Sequence, residues 1–261
     1  MPPLKLHWAR NLKKGRKNVG DWLSPVLVQH LSGCDVVYAA PNDCDLIAIG
    51  SMLQRVKHHF WNRRIHVWGT GFIAPQKMVP SRHYYHAIRG HESAALIKNA
   101  VIPAFGDPGL LVDRLLPHYA TVTKQHRIGV IPHYKDQDQV QISEFIARTP
   151  HAITLDVLAE PEDFLHHVAS CEFILSSSLH GLIVADAFHI PNAWIALSTQ
   201  VIGGAFKFRD YYSIFGMNNP QSYDLALMQA TLIDDIASQY RRPGLAAIQA
   251  NLIKHFPFLK E

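Results

Sequence analysis

The chain has 261 residues, 48% of them hydrophobic, which is enough to build a globular core and excludes a disordered or fibrous class. Its net charge of +4 is far from the dense basic field of a dedicated nucleic-acid binder, so no nucleic acid is expected, but it suits a small anionic ligand or an acidic membrane surface. The three scattered cysteines, Cys34, Cys44 and Cys171, argue against a disulfide framework or a zinc site, and the 17 histidines contain no HExxH-type pair, so no metal and no resident cofactor are expected.

In chain order, LKLHWA (4–9) predicts a strand and residues 11–20 a basic loop. Residues 21–31 predict a helix closed by Gly33. DVVYA (35–39), DLIAIGS (45–51), RIHVWGTGF (64–72) and HAIRG (86–90) predict further strands, the last leading into a helix over 92–99. A second series opens near residue 127, with strands over RIGVIPHY (127–134) and AITLDV (152–157) and a helix over 161–170. Then come the strand CEFILSS (171–177), a helix over 179–189, the strand NAWIALS (192–198) and a mostly helical remainder. The polar stretch 117–126 separates the two series. The expected architecture is α/β, with two Rossmann-like domains facing across a cleft. Residues 1–120 form the first domain and 121–261 the second, with a C-terminal helix packing back on the first. In such sheets ligands bind beyond the carboxyl ends of the strands. No run of about 18 uncharged apolar residues occurs, and MPPLKLHWARNLKKGRK holds no secretory apolar region, so a cytoplasmic location is expected.

The densest chemistry is SSSLHGLIVADAFHIPN (176–192). The serines sit at the carboxyl end of a buried strand, where they can cap the next helix or contact an anion at its N-terminus. His180 falls in the first turn, with Gly181 leaving room for a ligand and Leu182, Ile183, Val184 and Ala187 forming the buried face. Read blandly, Ser177 and Ser178 are caps and His180 is a polar helix-start residue. Read sharply, the segment is a phosphate or carboxylate site with an acid/base histidine; a nucleophilic serine is disfavoured because G-x-S-x-G is absent. Asp21, after Gly20, is either a helix cap or a base. His166 and His167 share no helix face and read as surface residues. Trp61 and Trp68 offer sugar stacking, but an aromatic beside a strand is more often core. Gly106 and Gly109 of GDPG shape a turn, with Asp107 its acceptor.

The same stretch resembles the signature of the polysaccharide pyruvyl transferases, in which Ser, a variable residue and Leu-His-Gly precede a helix. Further blocks resemble that family in the same order: KNVGDWLSPVLVQHLSG (17–33), AIGSML (48–53), VWGTGF (67–72) and IRGHESAAL (88–96), where His91 stands in place of an expected Pro. GDPGLL (106–111), IPHYKD (131–136) and KFRDYYSIFG (207–216) follow. The short chain looks most like the compact branch that ketalises exopolysaccharide units.

The resemblance implies a GT-B-like fold, phosphoenolpyruvate as co-substrate and a sugar diol as acceptor, giving a pyruvate ketal and phosphate. By motif position it implies His180 as acid/base or phosphate contact; beside it, Asp21 is the candidate base or hydrogen-bond acceptor for the acceptor diol. Arg89 and Lys207 become donor cations, joined by Ser177 and Ser178 at the helix start. Asn18, His133 and Tyr134 are the acceptor-binding candidates, and the resemblance makes residues 1–120 the acceptor-side domain and 121–261 the donor-side domain. The glycan acceptor is expected to be lipid-linked, with Lys13, Lys14, Arg16 and Lys17 touching anionic headgroups at the inner face of the cytoplasmic membrane. Two other readings stand beside this one. A GT-B-like glycosyltransferase would hold a nucleotide sugar by a carboxylate; Asp186 and Asp210 are present, but not in a convincing pair. A non-catalytic relative would only bind an anionic ligand.

Overall fold

The structure is a computed structural model that describes residues 2–10, 12–13, 16–198 and 203–260. It is an α/β protein with two five-stranded sheets. The first contains β1 (Leu4–His7), β2 (Val36–Tyr38), β3 (Leu46–Ile47), β4 (His66–Trp68) and β5 (Tyr84–Ala87), in the order β2-β1-β3-β4-β5. The second contains β6 (His126–Ile131), β7 (Ala152–Thr154), β8 (Cys171–Ser176), β9 (Asn192–Ala196) and β10 (Tyr223–Asp224), in the order β7-β6-β8-β9-β10. Every pairing within the two sheets is parallel. Each sheet therefore has the doubly wound order 2-1-3-4-5, with its direction of growth reversing between its first and third strands. Ligands of such sheets bind outside the carboxyl ends at that reversal.

Helix α1 (Val19–Ser32) starts where Asn18 Oδ1 accepts from Gly20 N at 3.0 Å, and it ends at Gly33 in the left-handed region. Asn18, not Asp21, is thus the cap, and Asp21 lies in the first turn, where a carboxylate complements the helix dipole. One side of α1 (Val19, Leu23, Leu27) packs into the core of the second sheet with Leu165, Val168 and Ala187. The other side (Val28, Leu31) packs on Leu4, Leu6 and Trp68 of the first. Val19 N also donates to Val157 O at 2.9 Å. The helix is shared by the cores of both sheets. At the other end of the chain, α8 (Leu245–Lys254) closes the first sheet: Leu252 and Phe256 sit in the Trp68 cluster, and Trp68 Nε1 donates to Leu252 O at 2.9 Å.

Several elements differ from expectation. The helix predicted over 92–99 stops early: α2 is His91–Ala95, because Ile97–Lys98 pairs in parallel with Val79–Pro80. The strand predicted over 45–51 keeps only Leu46–Ile47 in the ladder, and beyond it the chain turns toward the cavity described below. Within the basic loop, the backbone of Leu12–Lys13 pairs antiparallel with Arg16–Lys17. The expected headgroup contact through Lys13, Lys14, Arg16 and Lys17 rests on side chains outside the described residues. The remainder after 198 is not only helical, since β10 adds to the second sheet. All three cysteines are unpaired, and burial pushes the thiols of Cys44 and Cys171 up to about 12. Among the described residues no helix is long and apolar enough to cross a membrane.

Candidate active site

The carboxyl ends of β1, β3, β6 and β8 converge on one cavity of about 290 Å³. Ala9, Asn18 and Asp21 come from the segment after β1, and Gly50, Ser51, Met52 and Arg55 from that after β3. His133 and Tyr134 follow β6, and Ser178 and His180 follow β8. Ile73 and Lys207 complete the wall. The cavity is thus lined from the reversal points of both sheets, where the topology rule places a ligand.

His180 lies in the first turn of α5 (Leu179–Ala187), against the start of α1. A Cβ built on Gly20 would meet His180 Nδ1 at 2.0 Å, so only glycine lets the imidazole lie there. Nε2 of this ring is buried without a hydrogen-bond partner, and an orphaned nitrogen in a cavity wall is a place for a ligand atom. Burial, then the charges of Lys207 and Arg89, depress its pKa to about 4, so the resting imidazole is neutral at pH 7. Lys207 opens α6 (Phe206–Tyr212), is 9% exposed, and makes no ion pair among the described residues. Burial and then Arg89 lower its pKa to about 8, against an opposing pull from Asp136. Gly20→Ala is expected to displace the imidazole without unfolding α1, because alanine is the better helix former. Misplacement by about 1 Å can cost about 100-fold in rate. The check is a cooperatively folded protein, its melting temperature lowered by an overpacking cost of about 1–3 kcal/mol, with lost turnover; an active Gly20→Ala protein would show that the ring position is unimportant.

The structure brings Asn18, Asp21, His133, Tyr134, Ser178, His180 and Lys207 together at the cavity, but not Arg89 or Ser177. Arg89 is fully buried behind the wall. Its Nε donates to Asp210 Oδ2 at 2.8 Å, Nη1 to Ser51 Oγ at 2.6 Å and Nη2 to Phe72 O at 2.6 Å. Its guanidinium thus sits against Asp210, Ser51 and the Phe72 carbonyl rather than on the cavity wall where a donor cation was expected, and of these Ser51 does line the cavity. Ser177 is also turned away, donating to Asp136 Oδ2 at 3.1 Å and accepting from His133 N at 2.8 Å. Ser178 keeps its place at the helix start, and its hydroxyl makes no hydrogen bond among the described residues. Gly181 makes room for the sheet rather than for a ligand, since a Cβ there would stand 2.5 Å from Ser176 Oγ and 3.0 Å from Ile131 Cγ2.

Arg55 gains a role that the sequence did not suggest, and Asp107, the expected turn acceptor of GDPG, gains a second contact. Arg55 follows the AIGSML block and lines the cavity mouth, with no side-chain hydrogen bond or ion pair among the described residues. Asp107 is fully buried and accepts from Gly109 N at 2.9 Å and Gly50 N at 3.4 Å, so GDPG braces the Gly50 loop that backs His180. Burial raises its pKa to about 6 against those backbone donors. Trp68 is core, whereas Trp61 is exposed. His166 and His167 lie on an exposed helix face. Asp186 is a buried hub for Asn192, Tyr211, Tyr240 and Arg242, and Asp210 is committed to Arg89 and Ser93, so neither is available to hold a ribose.

Comparison with known proteins bears on this cavity. Residues 2–199 match the family described as polysaccharide pyruvyl transferase. The chain is 28% identical over 180 residues to the succinoglycan biosynthesis protein ExoV of Rhizobium meliloti (strain 1021), covering 66% of this chain and 54% of that protein. It is 26% identical over 168 residues to an uncharacterized protein of Acanthamoeba polyphaga mimivirus, covering 61% of this chain and 58% of that one. The match thus spans little more than half the length of these curated relatives.

Proposed function

Because the chain belongs to the polysaccharide pyruvyl transferase family, we propose that it moves the pyruvyl group of phosphoenolpyruvate onto two hydroxyls of a saccharide, forming a cyclic ketal and releasing phosphate. The observation that carries this reading is the cavity itself, small and cationic, with Lys207, Arg55 and an unpartnered histidine nitrogen in its wall. Two cations and an unpartnered imidazole nitrogen suit a compact donor with two anionic groups. Asp186 and Asp210 are committed to core partners and leave no carboxylate there for a ribose, which favours pyruvyl over glycosyl transfer. We read the two sheets as Rossmann-like domains meeting at this cavity in a GT-B-like manner, and the acceptor as a cell-surface glycan precursor, lipid-linked at the inner face of the cytoplasmic membrane.

The donor carries a phosphate and a carboxylate, and each needs a cation. Lys207, a point charge on the inner wall, takes the phosphate with Ser178. Arg55 takes the planar carboxylate with its fork, the part the sequence assigned to Arg89. His180, protonated under the field of the bound anions, gives its proton to C3, and the resulting cationic C2 is attacked by a sugar hydroxyl. The neutral imidazole then accepts that hydroxyl's proton. The C2–O bond to phosphate breaks, the second hydroxyl closes the ketal, and its proton leaves through Asp21 to the departing phosphate. Asn18, His133 and Tyr134 orient the acceptor.

The test is calorimetric titration with phosphoenolpyruvate, followed by phosphate release across a panel of acceptors. Lys207→Ala is expected to weaken donor binding about 10- to 100-fold, the size of a lost hydrogen bond to a charged group. Wild-type protein that binds a nucleotide sugar and not phosphoenolpyruvate would overturn the reading. The Lys207 interaction also has a pH signature. Its ammonium is lost as pH rises through about 8, so donor affinity should fall above that point in the wild type and not in Lys207→Ala.

A further inference from the structure

Between Asp45 and Glu92 the chain has no acidic residue and seven basic ones: Arg55, Lys57, Arg63, Arg64, Lys77, Arg82 and Arg89. All the rest of the chain carries more acids than bases, 21 against 18. Four of the seven, Lys57, Arg63, Arg64 and Arg82, belong to one loop or hold it. His59 O accepts from Asn62 N at 3.1 Å, which makes residues 59–62 a turn with Phe60 and Trp61 at its tip. Turn tips favour small polar residues, yet here Phe60 is 80% exposed and Trp61 67%. The tip is also held in shape. Arg82 donates to the carbonyls of His59 and Asn62, Lys57 N donates to Asn42 Oδ1 at 3.0 Å, and the His59 ring stacks on Trp61 with centroids 4.7 Å apart. Exposed Met78 lies on the neighbouring segment, just before Val79–Pro80.

Two adjacent apolar rings displayed by a braced turn gain nothing for folding; they are flanked by exposed Lys57, by Arg64, which donates to Arg82 O at 2.9 Å, and by Arg63, which is ion-paired with Asp45. They match the chemistry of a bilayer interface, where aromatics enter the headgroup layer and basic side chains meet anionic lipid. The loop begins two residues after Arg55, which lines the mouth of the cavity. We propose that residues 57–64 dock this protein on an anionic lipid surface, with Phe60 and Trp61 inserted, bringing the cavity mouth to the membrane. The docking surface does not depend on the pyruvyl-transfer reading, and its test uses no substrate.

The test is sedimentation of the full chain with vesicles of phosphatidylglycerol and phosphatidylcholine, against vesicles of phosphatidylcholine alone. Binding is expected on the anionic vesicles, weakening with salt, and accompanied by a blue shift of tryptophan emission that Trp61→Ala removes. Phe60→Ala/Trp61→Ala is expected to lower partitioning at least about tenfold, and Lys57→Gln about fivefold, the share of one basic residue near an anionic surface. Both variants should melt with the wild type, since these side chains are exposed. Lack of binding to anionic vesicles at low salt, or undiminished binding by the double variant, would overturn the proposal. So would a wild-type dimer that the double variant dissolves, since the rings would then cover a second copy of the chain.

Discussion

His180→Ala is expected to lower kcat by about 100- to 10,000-fold, the range of a positioned acid/base group, while phosphoenolpyruvate still binds. Its cost to stability should be small, because Nε2 makes no hydrogen bond in the resting protein and its removal orphans no partner. Geometry and charge together explain why the residue is held ready. The imidazole lies on Gly20, where a Cβ would stand 2.0 Å from Nδ1, and both Lys207 and Arg89 press on its charge. Burial and these cations hold its pKa at about 4, so the ring is neutral at pH 7. A donor with two anionic groups reverses that field, and an opposite charge within about 4–6 Å typically raises such a pKa by about 1–3 units. That puts the pKa in the complex at about 5–7, so donor binding near pH 6 should take up a fraction of a proton. Calorimetry in buffers of different ionisation enthalpy would read that uptake, and His180→Ala should abolish it. In the complex the protonated ring is the acid, so kcat should fall as pH rises through the raised pKa. A His180→Ala protein that keeps more than a tenth of wild-type turnover would remove His180 from the chemistry.

Much of this site was legible in the sequence because its side chains follow strand ends. RIGVI and CEFIL are apolar runs bounded by turn chemistry, and that pattern alone puts His133, Ser178 and His180 at the carboxyl edge of a parallel sheet. The first sheet was less clear. DLIAIGS reads as seven residues of strand, but only Leu46–Ile47 joins the ladder, because the next residues bend to set Gly50 against Asp107 and Ser51 against Arg89. Tyr223–Asp224 has no apolar run to announce it, and only its pairing with Ile195 and Ala196 makes it a strand. Arg55 and Arg89 illustrate the limit at the site. Both follow a strand of the first sheet, and local sequence does not separate a cation facing a ligand from one locked in the core. What separates them is Asp210, 121 residues beyond Arg89 in the chain and beside it in the fold.

That pairing makes the loss of Arg89 costly in stability. Guanidinium and carboxylate are both fully shielded from solvent, 2.8 Å apart. Asp210 is further held by Ser93 N at 2.6 Å and Ser93 Oγ at 2.7 Å. Removing one partner of such a pair leaves an uncompensated buried charge, so Arg89→Ala should destabilise the fold by about 3–5 kcal/mol. With each kcal/mol worth about 2–4 °C in a chain of this size, the melting temperature should drop by roughly 10 °C. Arg89→Lys keeps the charge but cannot reach Asp210, Ser51 and the Phe72 carbonyl together, so it should fold with an intermediate loss. This variant decides between two roles. If Arg89 acts through Ser51 and through its field, Arg89→Lys should bind phosphoenolpyruvate almost as tightly as the wild type. If its fork touched the donor, affinity would fall as steeply as in Arg55→Ala. The field has its own readout, since Arg89 depresses both His180 and Lys207. An uncharged replacement that still folds, Arg89→Met/Asp210→Leu, should move both titrations upward, carrying the loss of donor affinity to a pH above about 8. Unmoved titrations would mean that the buried pair braces the wall and does nothing more.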